Sequence, residues 1–323
     1  MSSARTARWA ATAGLTDNPI DALNRKLIGI LCAVGAAVCY GTNPLGALNL
    51  YAEGMNTPSV LFYRFGLAWV IIAVVMAFRK EGLRVTKREF LTLSALGLLF
   101  IVSSLTLYLS FHHMPAGVAS TILFTYPVMT AAIMAIFFRE RITGGTVLSI
   151  LLSLVGVVLL YWGDSGGALS LTGVALVLVS ALTYALYIIV VDKSPLPMSG
   201  FKVNFYVLAW CALGMVFYAL LSGQGLMLPP TPTAWVWVSW LAVVPAIMAL
   251  VMMVYAAKYI GSTPTAILGA LEPLTAVLIG VFVFSEPFSL RLAAGIALIL
   301  AAVTLVVLAK ARRHGDKEGR LSE

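Results

Sequence analysis

One segment of this chain is written twice. Residues 115–159 carry an apolar run with a mid-run proline, a polar break holding a glutamate, and a second apolar run; residues 261–305 carry the same pattern. With one fixed offset Pro127 falls on Pro273, Ile133 on Ile279, Phe138 on Phe284 and Glu140 on Glu286. Leu152, Leu154, Val157 and Leu159 fall in the same way on Leu298, Leu300, Val303 and Leu305. Apolar residues match by chance, but a proline and a glutamate held at one spacing point to two copies of one unit.

The solvent of that unit follows from composition. Hydrophobic residues make up 61% of the chain and charged residues 11%, against ~45–50% and ~25% in soluble domains. So much apolar surface cannot be hidden inside a water-soluble globule, so the surrounding medium is lipid. A bilayer core of ~30 Å needs ~20 apolar residues per helix. Ten runs qualify, at about 27–48, 58–78, 90–111, 116–138, 144–162, 170–191, 201–222, 234–256, 264–284 and 288–309. The sixth run echoes the first, with Leu171, Gly173, Ala181 and Tyr184 matching Leu27, Gly29, Ala37 and Tyr40. Val203, Phe205 and Tyr206 in the seventh echo Val60, Phe62 and Tyr63 in the second. A first run with a mid-chain copy is not a cleaved signal peptide.

The expected fold is therefore an all-α integral membrane protein of ten transmembrane helices. An odd number of crossings per copy makes the second copy enter from the opposite side, so the two five-helix repeats are inverted. The expected division is a tail over 1–26, a first repeat over 27–165, a second over 166–309 and a basic tail over 310–323, with the boundary near Gly163–Ala168. All 21 Lys and Arg except Arg64 and Arg291 fall on one side if both termini are cytoplasmic. The net charge of +8 is then a topology signal, with no nucleic acid implied. Cys32, Cys39 and Cys211 lie in apolar runs without ligand spacing and read as small buried residues.

Within the membrane, each proline and polar group needs a reason. Pro44, Pro127, Pro245, Pro264 and Pro273 interrupt apolar runs. Each removes a backbone donor and frees a carbonyl, which in lipid must face protein or a water-filled cavity. Pro127 and Pro273 are repeat mates, at the depth where inverted-repeat transporters place their central site. Glu272 sits about eight residues, or roughly 12 Å, into its helix, and its repeat mate is Tyr126. A carboxylate at that depth is costly unless it is paired or protonated. Arg64, near the outer end of its helix, either snorkels outward or binds substrate. Asn43 either satisfies carbonyls freed by Pro44 or lines a pathway. Tyr40, Tyr126 and Tyr184 lie near mid-helix, and Tyr108 lies nearer an outer end; they tie helices together or stack a ligand. His112 and His113 read as interfacial, and Glu140 and Glu286 as caps at helix connections. Gly29, Gly35, Gly156, Gly280 and Gly295 allow close helix packing. The fifth and tenth helices, almost entirely aliphatic, read as scaffold.

These residues resemble a known family. Tyr40-Gly41-Thr42-Asn43, Tyr63-Arg64-Phe65, Leu123-Phe124-Thr125-Tyr126-Pro127 with Glu140, and Leu271-Glu272-Pro273 with Glu286 resemble the motifs of EamA-type ten-helix bacterial members of the drug/metabolite transporter superfamily. The resemblance covers residues 27–309. It implies a central cavity lined by helices one to four and six to nine, with alternating access. It also implies movement, usually export, of amino acids or other small metabolites across the bacterial inner membrane. No cofactor or metal is implied; the partners are a small-molecule substrate and the lipid bilayer. The expected pathway residues are Tyr40, Asn43, Arg64, Tyr126, Tyr184 and Glu272, with kinks at Pro44, Pro127, Pro245 and Pro273. A membrane-embedded enzyme would need acidic, His or Cys residues clustered at one depth, and a channel a ring or filter motif; neither pattern occurs here.

Overall fold

The computed structural model describes residues 19–138, 144–161, 170–194 and 196–321. The regular elements among them are helices. The first span is Pro19–Gly41 continued by Asn43–Ala52; the second is Thr57–Phe78, the third Lys87–Ser110. The fourth is split into Ala116–Leu123 and Tyr126–Phe137, and the fifth is Gly144–Tyr161. The sixth, Leu171–Lys193, and the seventh, Gly200–Leu221, are continuous. The eighth runs from Pro232–Val243 through a π-helical turn, Val244–Met248, into Ala249–Ile260. The ninth is split into Ser262–Leu268 and Leu271–Phe284, and the tenth is Leu290–Leu321.

All ten expected runs fall on helices. The first reaches Ala52 and the tenth continues to Leu321, both longer than apolarity alone suggests. Seven of the spans are long and apolar enough to cross a membrane; Gly144–Leu160, Leu271–Phe284 and Leu290–Leu305 are shorter apolar helices. The expected repeat boundary at Gly163–Ala168, the residues Arg139, Glu140 and Arg141, and the tail before Pro19 lie outside the described residues.

Helix starts follow local chemistry. Asn56 accepts from the Ser59 N–H at 3.1 Å with Pro58 in the first turn. Thr86 and Glu89 form a reciprocal capping box, and Ser170, Ser199 and Thr231 cap the sixth, seventh and eighth spans. Each cap satisfies a backbone donor that the helix cannot. The outward faces keep large apolar side chains such as Phe78, Phe137 and Phe282 exposed, which in lipid is the favourable arrangement.

The spans pack in pairs. The third packs along the sixth, the first along the eighth, the second along the seventh, and the fifth along the tenth. Small residues set these contacts. A Cβ built on Gly156 would stand 2.7 Å from Ile299 Cγ1, and one on Gly295 2.7 Å from Leu160 Cδ2. The fifth and tenth spans thus meet almost backbone to backbone. Gly29 and Gly35 let the first span approach Ile260 and Met252 of the eighth as closely. Ser180 Oγ donates to the Ser103 carbonyl at 2.7 Å and stitches the sixth span to the third. Cys211 is buried and Cys32 and Cys39 are half-buried, all as free thiols.

Candidate functional site: a polar and aromatic cluster at the helix breaks

The prolines account for where the spans break. Pro44 is the second residue of Asn43–Ala52, Pro127 the second of Tyr126–Phe137, and Pro273 the third of Leu271–Phe284. Proline suits the first turn of a helix and cannot continue one, so each span stops just before it and restarts on it. Pro245 instead sits inside the π-helical turn, which absorbs the missing hydrogen bond. Pro264 differs from expectation. It lies in the first turn of Ser262–Leu268, where the absent N–H is unneeded, so it starts a helix and interrupts none.

At the first break the freed carbonyl is met by the next side chain. Asn43 Nδ2 donates to the Tyr40 carbonyl at 2.9 Å, the acceptor four residues before Pro44 that the helix leaves open. Thr42 Oγ1 donates to the Cys39 carbonyl at 2.7 Å. This break lies directly against the ninth span: a Cβ on Gly41 would be 2.7 Å from the Glu272 carbonyl oxygen and 2.5 Å from Thr275 Cβ. Glycine is the residue that such an approach allows.

Arg64 turns inward. It is 9% exposed, and its Nη1 donates to the Tyr108 hydroxyl at 2.5 Å. Its guanidinium carbon lies 5.5 Å from the Phe65 ring centre and 5.4 Å from that of Tyr108, within cation–π range. Snorkelling, one of the two readings open from sequence, is thereby ruled out. The Tyr108 hydroxyl donates on to Asn43 Oδ1 at 3.4 Å. A chain Arg64–Tyr108–Asn43–Tyr40 carbonyl thus joins the second, third and first spans. Arg64 Nε is buried without a hydrogen-bond partner, as is Thr125 Oγ1 at the break of the fourth span. An orphaned guanidinium N–H away from water is costly.

Aromatic rings connect Arg64 to the other breaks. Phe65 meets Phe100, which lies 5.4 Å from Tyr187 and 6.2 Å from Tyr184. Tyr184 stacks parallel to Tyr187 and meets Tyr126 edge-on at 4.7 Å between ring centres. Glu272 opens the second half of the ninth span, in the first turn of Leu271–Phe284, where the helix dipole favours a carboxylate. It acts electrostatically on Tyr40, Tyr126 and Tyr184, and Arg64 acts on it in turn. Arg64 and Glu272 form no ion pair among the described residues. All six expected pathway residues therefore share one cluster. Tyr108 and Tyr187 complete it; the sequence places Tyr108 with the other tyrosines but nearer a helix end, and does not single out Tyr187. Tyr187 had a usable signal, since it lies one helical turn beyond Tyr184 and shares its face.

Just past the C-terminal end of the third span, His112 stacks on Tyr51 with ring centres 4.2 Å apart. A run of hydrogen bonds leads inward from it: His112 Nε2 to Thr57 Oγ1 at 3.0 Å, Thr57 Oγ1 to the Tyr51 hydroxyl at 3.1 Å, and Tyr51 to the Tyr108 carbonyl at 3.1 Å. A carbonyl only accepts, so Tyr51 donates to it, Thr57 donates to Tyr51, and His112 donates from Nε2. The chain ends on a group that cannot take up a proton. It is a strut that pins the backbone of Tyr108. Part of the His112 side chain remains exposed.

With a split-helix bundle and a central polar cluster, the chain has the architecture of a membrane transporter. The model of the EamA-like transporter family matches residues 27–162 and again 171–308; the chain belongs to this family, within the drug/metabolite transporter superfamily. It is similar to an uncharacterized transporter of Archaeoglobus fulgidus, 27% identical over 273 residues, covering 84% of this chain and 94% of that one. The uncharacterized transporter YdfC of Bacillus subtilis is 22% identical over 283 residues, covering 86% and 90%. A solved crystal structure superposes with a TM-score of 0.62 at 18% identity, covering 88% of this chain and 98% of its own, which is a likeness of fold.

Proposed function

We propose that the protein is a secondary transporter that moves a small metabolite, an amino acid or a related compound, outward across the bacterial inner membrane by alternating access. The two repeats are inverted and both termini are cytoplasmic, as the placement of Lys and Arg favours. Substrate binds at the helix breaks. The observation that carries this reading is the single cluster formed by Arg64, Asn43 and Tyr108 with Tyr126, Tyr184 and Glu272, drawn from six different spans. Arg64 offers a buried, partly unsatisfied guanidinium for a carboxylate. Glu272, across the tyrosines, offers an acceptor for an amino group. The rings between them suit an apolar body.

The reading is tested by counterflow in proteoliposomes, after a ligand panel has been screened by thermal shift, since a ligand that binds only the folded state raises apparent stability. A transported compound should stabilise the protein and show saturable, trans-stimulated uptake. Non-saturating ion flux would indicate a channel, and chemical conversion of the compound an enzyme.

A second role is supported by the place of Glu272 well inside its span, beside the break at Pro273. We propose that it exchanges a proton during the cycle, with the proton leaving as substrate enters.

A further inference from the structure

The fourth and ninth spans meet at one end of the bundle through a contact that the pathway cluster does not use. Glu286 follows the ninth span, in the connection to the tenth. Its Oε1 accepts from the Ala116 N–H at 2.7 Å and its Oε2 from the Gly117 N–H at 3.2 Å. These are the first donors of Ala116–Leu123, which has no side-chain cap of its own. One carboxylate of the second repeat thus caps a half-helix of the first.

The local sequence is shaped for this. Ser285 takes a left-handed conformation at φ 54° and turns the chain back, so that the Glu286 N–H donates to the Gly280 carbonyl at 2.9 Å. The carboxylate then lies over Gly280, where a Cβ would stand 2.1 Å from Oε2. A Cβ on Gly117 would be 2.8 Å from Val277 Cα and 3.1 Å from the same oxygen. The two glycines make the seat, and Val277 beneath it is 3% exposed. Burial pushes the Glu286 carboxyl up from its ordinary range, and the two backbone N–H groups oppose that shift.

The two seat glycines are not repeated at the positions related by the internal repeat. At the fixed repeat offset, Gly280 is matched by Met134 and Gly117 by Thr263. At Gly280 itself any side chain would take the space that the Glu286 oxygen occupies. The packing is one-sided as well. Ala116–Leu123 packs on Leu271–Phe284, whereas Tyr126–Phe137 and Ser262–Leu268, the repeat-related halves, do not pack on one another to a comparable extent among the described residues.

We infer that Glu286 is a gating residue of the transport cycle: its carboxylate clasps the fourth span to the ninth, and this clasp breaks when that end of the bundle opens. The clasp favours the state closed at the Glu286 end, the outer end in the orientation proposed above. The inference rests on the alternating-access reading, and its test needs no substrate.

The test is labelling of Val277→Cys by a membrane-impermeant maleimide in reconstituted full-length protein, with Cys32, Cys39 and Cys211 replaced by alanine. With Glu286 intact the buried thiol should react slowly. Glu286→Gln weakens the charge-assisted bonds and should speed labelling about ten-fold, the scale of one such bond lost. Gly280→Ala keeps the charge but blocks the seat, and should speed labelling in the same direction. Thermal unfolding and size-exclusion profiles of each variant identify any that has lost its fold, and the other variant then decides. Unchanged labelling in the folded variants would overturn the inference, even if transport itself were confirmed. Faster labelling would uphold the clasp even if no substrate had been found.

Discussion

Arg64 donates to the Tyr108 hydroxyl at 2.5 Å, across the interface between the second and third spans, yet leaves its Nε buried and unpartnered. Guanidinium N–H groups are strong, planar donors that match a carboxylate in pairs. A substrate carboxylate would satisfy the orphan that Tyr108 does not. Arg64→Lys should therefore raise KM on the order of ten-fold, because lysine cannot reproduce the two-pronged contact. Expression and thermal stability should stay near the parent. Transport and folding that fall together would instead mark Arg64 as structural.

Asn43→Ala leaves the Tyr40 carbonyl without its donor at the first break. An unsatisfied buried acceptor costs about 1–3 kcal/mol. Thermal unfolding of Asn43→Ala should shift down accordingly, and Asn43→Asp, which keeps an acceptor but removes the Nδ2 donor, should not restore it. Equal stability of Asn43→Ala and the parent would show that water or backbone rearrangement replaces the amide.

Much of this was legible in the sequence. The offset repeat and the runs of apolar residues lead to ten helices in two units. The prolines mark the breaks because a missing N–H acts locally, within four residues. What was not legible depends on distant partners. Tyr108 looked like an outer-end tyrosine, and its role appears only because Arg64, 44 residues away in sequence, turns inward to meet it. Arg64 itself has a side chain long enough for either direction, and only the packing of Phe65 and Tyr108 decides. Pro264 was misread because an apolar run does not reveal where its helix begins. The Glu286 clasp needed both Gly117 and Gly280, which no local pattern links.

His112 gives a pH-dependent prediction. Partial burial, with His113 beside it, holds its imidazole below the ordinary range of about 6.5. The unfolded chain therefore binds a proton more readily than the folded one. The contribution to stability is fully present above the ordinary value and is lost as pH falls through the lowered one. Acidification from pH 8 to pH 5 should lower the Tm of the parent more than that of His112→Gln. An identical acid shift in both would remove His112 from the account.

The proposed topology is open to reporter fusions. Fusions at residues 83 and 315 should report cytoplasm, and a fusion at 54 the outside. A report of the same side from 54 and 83 would mean that the second span does not cross.

Glu272→Gln addresses coupling. Glutamine mimics the protonated carboxyl, so this variant should keep substrate exchange and lose accumulation driven by a pH gradient. Unchanged gradient-driven accumulation would remove the proton from the mechanism.

The most direct test of the central claim, that the cluster at the helix breaks is a carrier's binding site, is counterflow of one stabilising compound into preloaded proteoliposomes. The parent should show saturable, trans-stimulated uptake. Arg64→Lys should need on the order of ten-fold more compound for half-saturation. Uptake that rises linearly with concentration without trans-stimulation, or half-saturation unaltered by Arg64→Lys, would contradict it.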